Sequence, residues 1–263
     1  MFKRALFYYD LARLQNEGWG TVYEYLDKHL FLKKKISKTK IKRILIAGLP
    51  EKYGYSLDFL MLAQELGVLC TVIDDRKDRI ERTKEFVTGL ALKNKLDLGL
   101  IKFIVSGNSI IPHDVDDHPL KYDLVLSCEA IQRYSDPQQL EILKKLAFVS
   151  DSVFIFMPNA LHSGHARSGL ATVDIKQISS WKKELGGEYS LEYGFIDFAP
   201  WSSGITGKRN LPGVLAGCNL IQRLMAFIIE LWLGLVKYMP ARFCVNNSHI
   251  IYAHISNRSC SKN

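Results

Sequence analysis

The chain has 263 residues, 48% hydrophobic and 24% charged, which is the balance of a globular protein with a sizeable core. That composition excludes a disordered chain, a collagen-like repeat and a polytopic membrane protein. The formal net charge of +8 is local, because residues 1–43 hold 11 Lys/Arg against 4 Asp/Glu while the remainder holds 24 against 23.

Residues 2–31 read as two short helices split at Gly18-Trp19-Gly20, with Phe7, Leu11 and Leu14, then Val22, Tyr25, Leu26 and Leu30, recurring every three to four positions. No uninterrupted apolar run or small-residue cleavage site marks a secretory signal in this stretch. Next comes FLKKKISKTKIKR (31–43), with seven basic residues in thirteen. It reads either as a phosphate or anionic-lipid contact or as a solvated connector into the first strand.

From residue 43 short apolar runs alternate with helical stretches. RILIAG (43–48), LCTVID (69–74), IKFIVS (101–106), YDLVLS (122–127) and SVFIFM (152–157) are strands; residues 56–67, 75–94, 136–148 and 174–185 are helices. EYSLEYGFIDF (188–198) and SHIIYAHIS (248–256) are two last strands. Strands separated by helices argue for a doubly wound, Rossmann-like α/β sheet, whose ligand site lies beyond the carboxyl ends of the strands.

Residues 199–247 interrupt that rhythm. A Pro/Gly/Ser-rich stretch leads into a helix over about 216–239, where Arg223, Glu230 and Lys237 recur every seven residues and share one face. Charges at that interval argue against a span of the roughly 20 apolar residues a bilayer requires. The helix either packs on the sheet domain or a partner, or inserts shallowly into a membrane through 211–239. The expected organisation is a helical extension with basic connector (1–42), a Rossmann-like core (43–198), a helical insertion (199–247) and a last strand with tail (248–263).

Five scattered cysteines show no zinc spacing, so no metal is expected and a reducing, cytoplasmic location is the default. Three features stand at successive strand ends. Gly48, with Gly54 after it, permits close backbone approach of a ligand beside a helix N-terminus. Asp74 can accept both hydroxyls of a ribose, or cap the next helix as Asp75 also could. Asn108, after the third strand, can pair with an adenine edge.

On these residues, and on YDLVLSCEAIQRYSDPQQLEILKKLAFVSDSVFIFMPN (122–159), the chain resembles class I S-adenosylmethionine-dependent methyltransferases over roughly residues 43–198. The resemblance implies seven strands with the last antiparallel, S-adenosylmethionine across the ends of strands one to four, and methyl transfer to a nucleophile. The position near the cofactor's methionine part is Ser127, followed by Cys128, Glu129, Gln132 and Arg133. The chain departs from the family at Ile46, where an acid is usual, and at Pro50 and Lys52, where glycines are usual; Glu51 could supply the missing carboxylate.

Methyl transfer needs alignment more than acid–base chemistry, though a hydroxyl acceptor benefits from a base. His162 and His165, with Glu129, are the catalytic candidates; the His-x-x-His loop also carries Arg167, and it could instead bind a metal, cap the next helix or bind anions. Trp201, Phe227, Trp232 and Tyr238 favour a small or lipid-linked acceptor methylated on O or N, and nucleic acid is disfavoured. The alternative reading is a catalytically inactive, methyltransferase-like binding or assembly subunit, and a nicotinamide-dependent oxidoreductase fails because GxGxxG breaks at Pro50.

Overall fold

The computed structural model describes residues 3–15, 17–50, 54–93, 96–106, 110, 121–165, 171–198 and 219–258. The chain divides into two compact units, one of Met1–Lys35, Asn159–Leu170 and Phe195–Ile250, the other of Ile36–Pro158, Ala171–Gly194 and Ile251–Asn263.

A seven-stranded sheet is built from β1 (Arg43–Ala47), β2 (Leu69–Asp74), β3 (Ile101–Val105), β4 (Leu124–Cys128), β5 (Ser152–Pro158), β6 (Tyr189–Ile196) and β7 (Ile250–Asn257), in the order β3-β2-β1-β4-β5-β7-β6. Strands β1 to β5 pair in parallel, with Ile46 flanked by Val72 and Leu126. Ile44, Leu45, Ile46 and Ala47 are all fully buried, as a strand covered on both faces requires. That burial accounts for the apolar residue at 46, since a carboxylate there would have to lose its hydration. The last strand is antiparallel, as expected: Asn257 donates to Asp151 at one end of its pairing with β5, and Asn159 donates to His249 at the other.

The helices of the sheet-bearing unit are α3 (Leu57–Leu66), α4 (Lys77–Ala91), α5 (Asp136–Val149) and α6 (Ile175–Glu184). On α4 the buried residues Ile80, Thr83, Val87 and Leu90 recur every three to four positions, so one stripe faces inward. Helix α5 opens with a capping box in which Ser135 and Gln138 satisfy each other's backbone amides, and Pro137 fits the first turn. Asp174 caps α6 by accepting from the Gln177 amide.

The other unit contains α1 (Lys3–Leu14), α2 (Trp19–Ile36), α7 (Asn219–Val236) and α8 (Ala241–Asn247), with α1 packed on α7. Tyr9 stacks on Trp19 at 4.3 Å and the Tyr8 hydroxyl bonds His29 Nδ1 at 2.9 Å, joining α1 to α2. The basic tract departs from the expected connector. Helix α2 continues through it to Ile36, because Leu32 and Ile36 are buried on its inner face and Lys33, Lys34 and Lys35 complement the negative end of the helix dipole. The rest of the tract, Lys38 to Arg43, leads into the amino end of β1, where the Asp123 carboxylate accepts the Lys42 and Arg43 amides at 2.8 Å each. Among the described residues no helix is long and apolar enough to cross a membrane, and Cys70 and Cys244 are free thiols.

Candidate active site

At the carboxyl edge of the parallel strands, Gly48 continues the β1 ladder by donating to Ile73, then turns with φ +79°. A Cβ on Gly48 would lie 2.6 Å from the Ala130 Cβ, so the turn after β1 and the turn after β4 approach each other as only glycine allows. Gly54 also has positive φ, at +88°. Glu51 and Asn108 lie outside the described residues.

Asp74 ends β2 with its carboxylate fully buried. Oδ2 accepts from the Leu49 amide at 2.7 Å and Arg76 Nη2 at 2.9 Å; Oδ1 accepts from the Arg76 amide at 2.9 Å and Arg76 Nε at 2.8 Å. Arg76 Nη2 also donates to the Leu49 carbonyl at 2.8 Å, which ties the end of β2 to the loop after β1. Burial alone would raise the Asp74 pKa; the Arg76 hydrogen bonds, the Leu49 amide and the charge of Arg133 outweigh it and hold the carboxyl below its ordinary value. The N-cap position of α4 is Arg76, with no side-chain cap. Asp75 instead accepts from Arg133 Nη2 at 2.7 Å and from the Tyr134 hydroxyl at 3.1 Å.

Ser127 is buried within β4, and Glu129 just past it has φ +49°, a conformation that costs a side-chain-bearing residue on the order of 1 kcal/mol. The Glu129 amide donates to the Phe156 carbonyl at 2.9 Å, which holds the turn against the end of β5. Four polar side chains on the segments at the carboxyl ends of these strands have buried atoms with no hydrogen-bond partner among the described residues: Ser56 before α3, Ser106 after β3, Ser127 in β4, and both polar atoms of Gln132 in the turn after β4. Each such group costs about 1–3 kcal/mol unless something completes it. Orphaned hydroxyls and an amide at one sheet edge suit a polar ligand carrying both donors and acceptors. Asp74 suits a ribose only once Arg76 has moved from its oxygens.

The second cluster belongs to the other unit and begins just past β5. Asn159 is buried, donates its amide to the Val245 and Ser248 carbonyls at 2.8 and 2.9 Å, and accepts the Leu161 amide at 3.1 Å. It thereby fixes the start of the loop that carries His162 and His165. The His162 ring meets the His249 ring edge-on at 4.2 Å, and His165 Nε2 donates to the His249 carbonyl at 2.8 Å. His249 Nδ1 bonds Asp197 Oδ2 at 3.0 Å, and the Asp197 amide donates to Asp27 Oδ2 at 2.8 Å. Asp197 is buried, and its Oδ1 has no hydrogen-bond partner among the described residues.

This arrangement pushes the three imidazoles in opposite directions. Burial, then the neighbouring His249 and His165, lowers His162 to about 4, and burial lowers His165. His249 is raised, because the hydrogen bond and charge of Asp197 outweigh the cost of burial. Burial raises Asp27 to about 6. The set therefore presents one carboxylate-paired imidazole beside two that stay neutral near pH 7. Among the described residues no three His, Cys, Asp or Glu side chains are disposed to hold a metal ion.

Sequence reading named His162 and His165 but not His249, Asp197 or Asn159. No local motif marks them. Asp197 follows β6 and His249 precedes β7, and the antiparallel pairing of those strands closes a gap of some fifty residues in the chain. Arg76 was equally hidden, as one basic residue among several in DDRKDR.

No protein-family model and no curated protein matches the chain. Solved structures match its fold. The methyltransferase domain of a bacterial Hen1 protein superposes with a TM-score of 0.52 at 13% identity, covering 88% of this chain and 97% of that one. The small RNA methyltransferase HEN1 gives a TM-score of 0.51 at 13% identity over 88% of this chain, which spans 25% of that longer protein. The chain has the Rossmann-like fold of class I S-adenosylmethionine-dependent methyltransferases.

Proposed function

We propose that the chain is an S-adenosylmethionine-dependent methyltransferase acting on a small or lipid-linked acceptor, by O- or N-methylation. The observation that carries this reading is the set of orphaned polar groups around Ser106, Ser127 and Gln132 on the edge where Gly48 turns. When bound, S-adenosylmethionine supplies a methyl group on a sulfonium, already an excellent leaving group. The chain's own work is to hold and align. Gly48 and Gly54 shape the loop, Ser127 and Gln132 offer hydrogen bonds, and Asp74 offers a carboxylate to hydroxyls. Glu51 and Asn108 belong to the same proposed cofactor set.

On the acceptor side we assign His162, His165 and Glu129, and add His249 with Asp197. Nε2 of His249 takes a proton from an acceptor hydroxyl or amine while Asp197 Oδ2 keeps Nδ1–H in place and stabilises the imidazolium. The neutral His162 and His165 add no competing charge. The basic residues from Lys38 to Arg43 stand at the amino end of β1, opposite the carboxyl edge, so they bring no phosphate-binding charge to the cofactor end, and this favours an acceptor other than nucleic acid. The buried thiols Cys70 and Cys128 suit a reducing compartment such as the cytoplasm.

A second reading, a non-catalytic binding or assembly subunit on the same fold, is favoured by one observation: the Arg76 guanidinium occupies Asp74. Mass spectrometry of small molecules released from the purified, denatured protein separates the readings from a different fold use. Recovery of S-adenosylmethionine or S-adenosylhomocysteine, followed by methyl transfer to an added acceptor, is expected. Recovery of a dinucleotide overturns both readings; cofactor binding with no transfer to any acceptor leaves the second.

A further inference from the structure

Helix α7 is apolar on two sides. Ala226, Ile229 and Leu233 are buried on its inner face, where α1 packs. On the outer face Leu220, Leu224, Leu231 and Leu235 recur at helical spacing, and Tyr238 follows two residues past the helix end; each is between 49% and 87% exposed. A surface helix of a globular protein ordinarily turns polar residues outward, so this stripe is maintained against the cost of its hydration.

The charge beside the stripe is mainly positive. Arg223 of α7, Lys237 just past its end and Arg242 of α8 are exposed, and the sole acid of the two helices, Glu230, is half-buried. The surplus extends through the whole unit. Its three segments hold thirteen Lys/Arg against six Asp/Glu, which leaves the sheet-bearing unit nearly neutral.

We propose that α7 docks the protein on an anionic lipid bilayer, lying in the plane of the interface. The leucine stripe enters the acyl boundary, Arg223, Lys237 and Arg242 meet the lipid headgroups, and Tyr238 sits at headgroup level beyond the helix end. An exposed apolar row whose exposed charged neighbours are cations matches a surface that is apolar inside and negative at its rim. A protein groove would instead draw on at least one exposed acid or neutral polar anchor along the row, and the described side chains of α7 present none on its outer face. Eighteen residues give about 27 Å of helix, and among the described residues no helix is apolar enough to span, so docking is peripheral. This inference is independent of the methyl-transfer reading.

Flotation of the full chain with vesicles of phosphatidylcholine alone, or with about a third phosphatidylserine, tests it. The protein is expected to float with the anionic vesicles, far less with the neutral ones, and less as salt is raised. Leu224→Glu/Leu231→Glu, with unchanged circular dichroism and Tm, is expected to lower the bound fraction on the order of tenfold. Wild type left at the bottom of the gradient with anionic vesicles, or a folded variant floating as wild type does, overturns the proposal. A wild-type dimer that this variant splits, with no vesicle binding by either, assigns the stripe to a second copy and also overturns it. Should the leucine variant unfold, Arg223→Glu/Arg242→Glu leaves the stripe intact and carries the test; loss of the preference for anionic vesicles supports docking, and an unchanged preference contradicts it.

Discussion

Arg76 satisfies a buried carboxylate and at the same time covers it. Its guanidinium donates twice to Asp74 and once each to the Leu49 and Pro50 carbonyls, while its own amide donates a third hydrogen bond to Asp74. A ribose diol needs those same oxygens, so guanidinium and ligand compete. Arg76→Ala is expected to tighten S-adenosylmethionine binding about tenfold by titration calorimetry, the worth of one charge-assisted hydrogen bond relieved of competition. Unchanged or weaker binding would show that Arg76 supports the site rather than blocks it. His249 allows a test by pH. Its pKa is raised in the fold, so the stability it contributes is complete below the ordinary histidine value and is lost as pH rises through the raised one. Asp197→Asn removes the partner that outweighs burial, and the His249 midpoint, followed by the ring-proton NMR shift, is expected to fall below its wild-type position. His162 should remain neutral down to about pH 4 in the wild type.

Among the elements, the turn after β1 carries the sharpest constraint. Gly48→Ala must bear a positive φ and place a methyl 2.6 Å from the Ala130 Cβ, which is itself buried. We expect a loss of about 2–4 kcal/mol in urea unfolding, with an unchanged m-value. A loss below about 1 kcal/mol would mean that the two turns can part freely. The strands and α5 were legible in the sequence because their signals are local: continuous apolar runs for β1, β2, β4 and β5, and a Ser-Asp-Pro-Gln start for α5. The end of α2 was not legible, because the Lys33-Lys34-Lys35 run looks solvated while Leu32 and Ile36, at helical spacing, hold the helix inside. Short α8 was missed for the opposite reason, since seven residues carry too little periodicity to read. Gly48 and Asp74 could be placed from chain order alone, whereas the His249–Asp197 pair depends on strand register between β6 and β7 and no local pattern encodes it.

For the whole molecule, charge and fold separate cleanly. The surplus of positive charge belongs to the unit that carries α7, and the nearly neutral unit carries the parallel strands and the orphaned polar groups at their carboxyl edge. The first bears on where the protein works, the second on what it holds. A fold shared with methyltransferases at 13% identity supplies the scaffold; the buried, unsatisfied groups on that edge are this chain's own evidence for a ligand. The most direct measurement is isothermal titration of the full chain with S-adenosylmethionine. Saturable one-site binding in the micromolar range is expected, weakened at least tenfold when Ser127→Ala and Gln132→Ala remove the orphaned groups together. No binding at millimolar S-adenosylmethionine, by protein whose fold is intact, would contradict it.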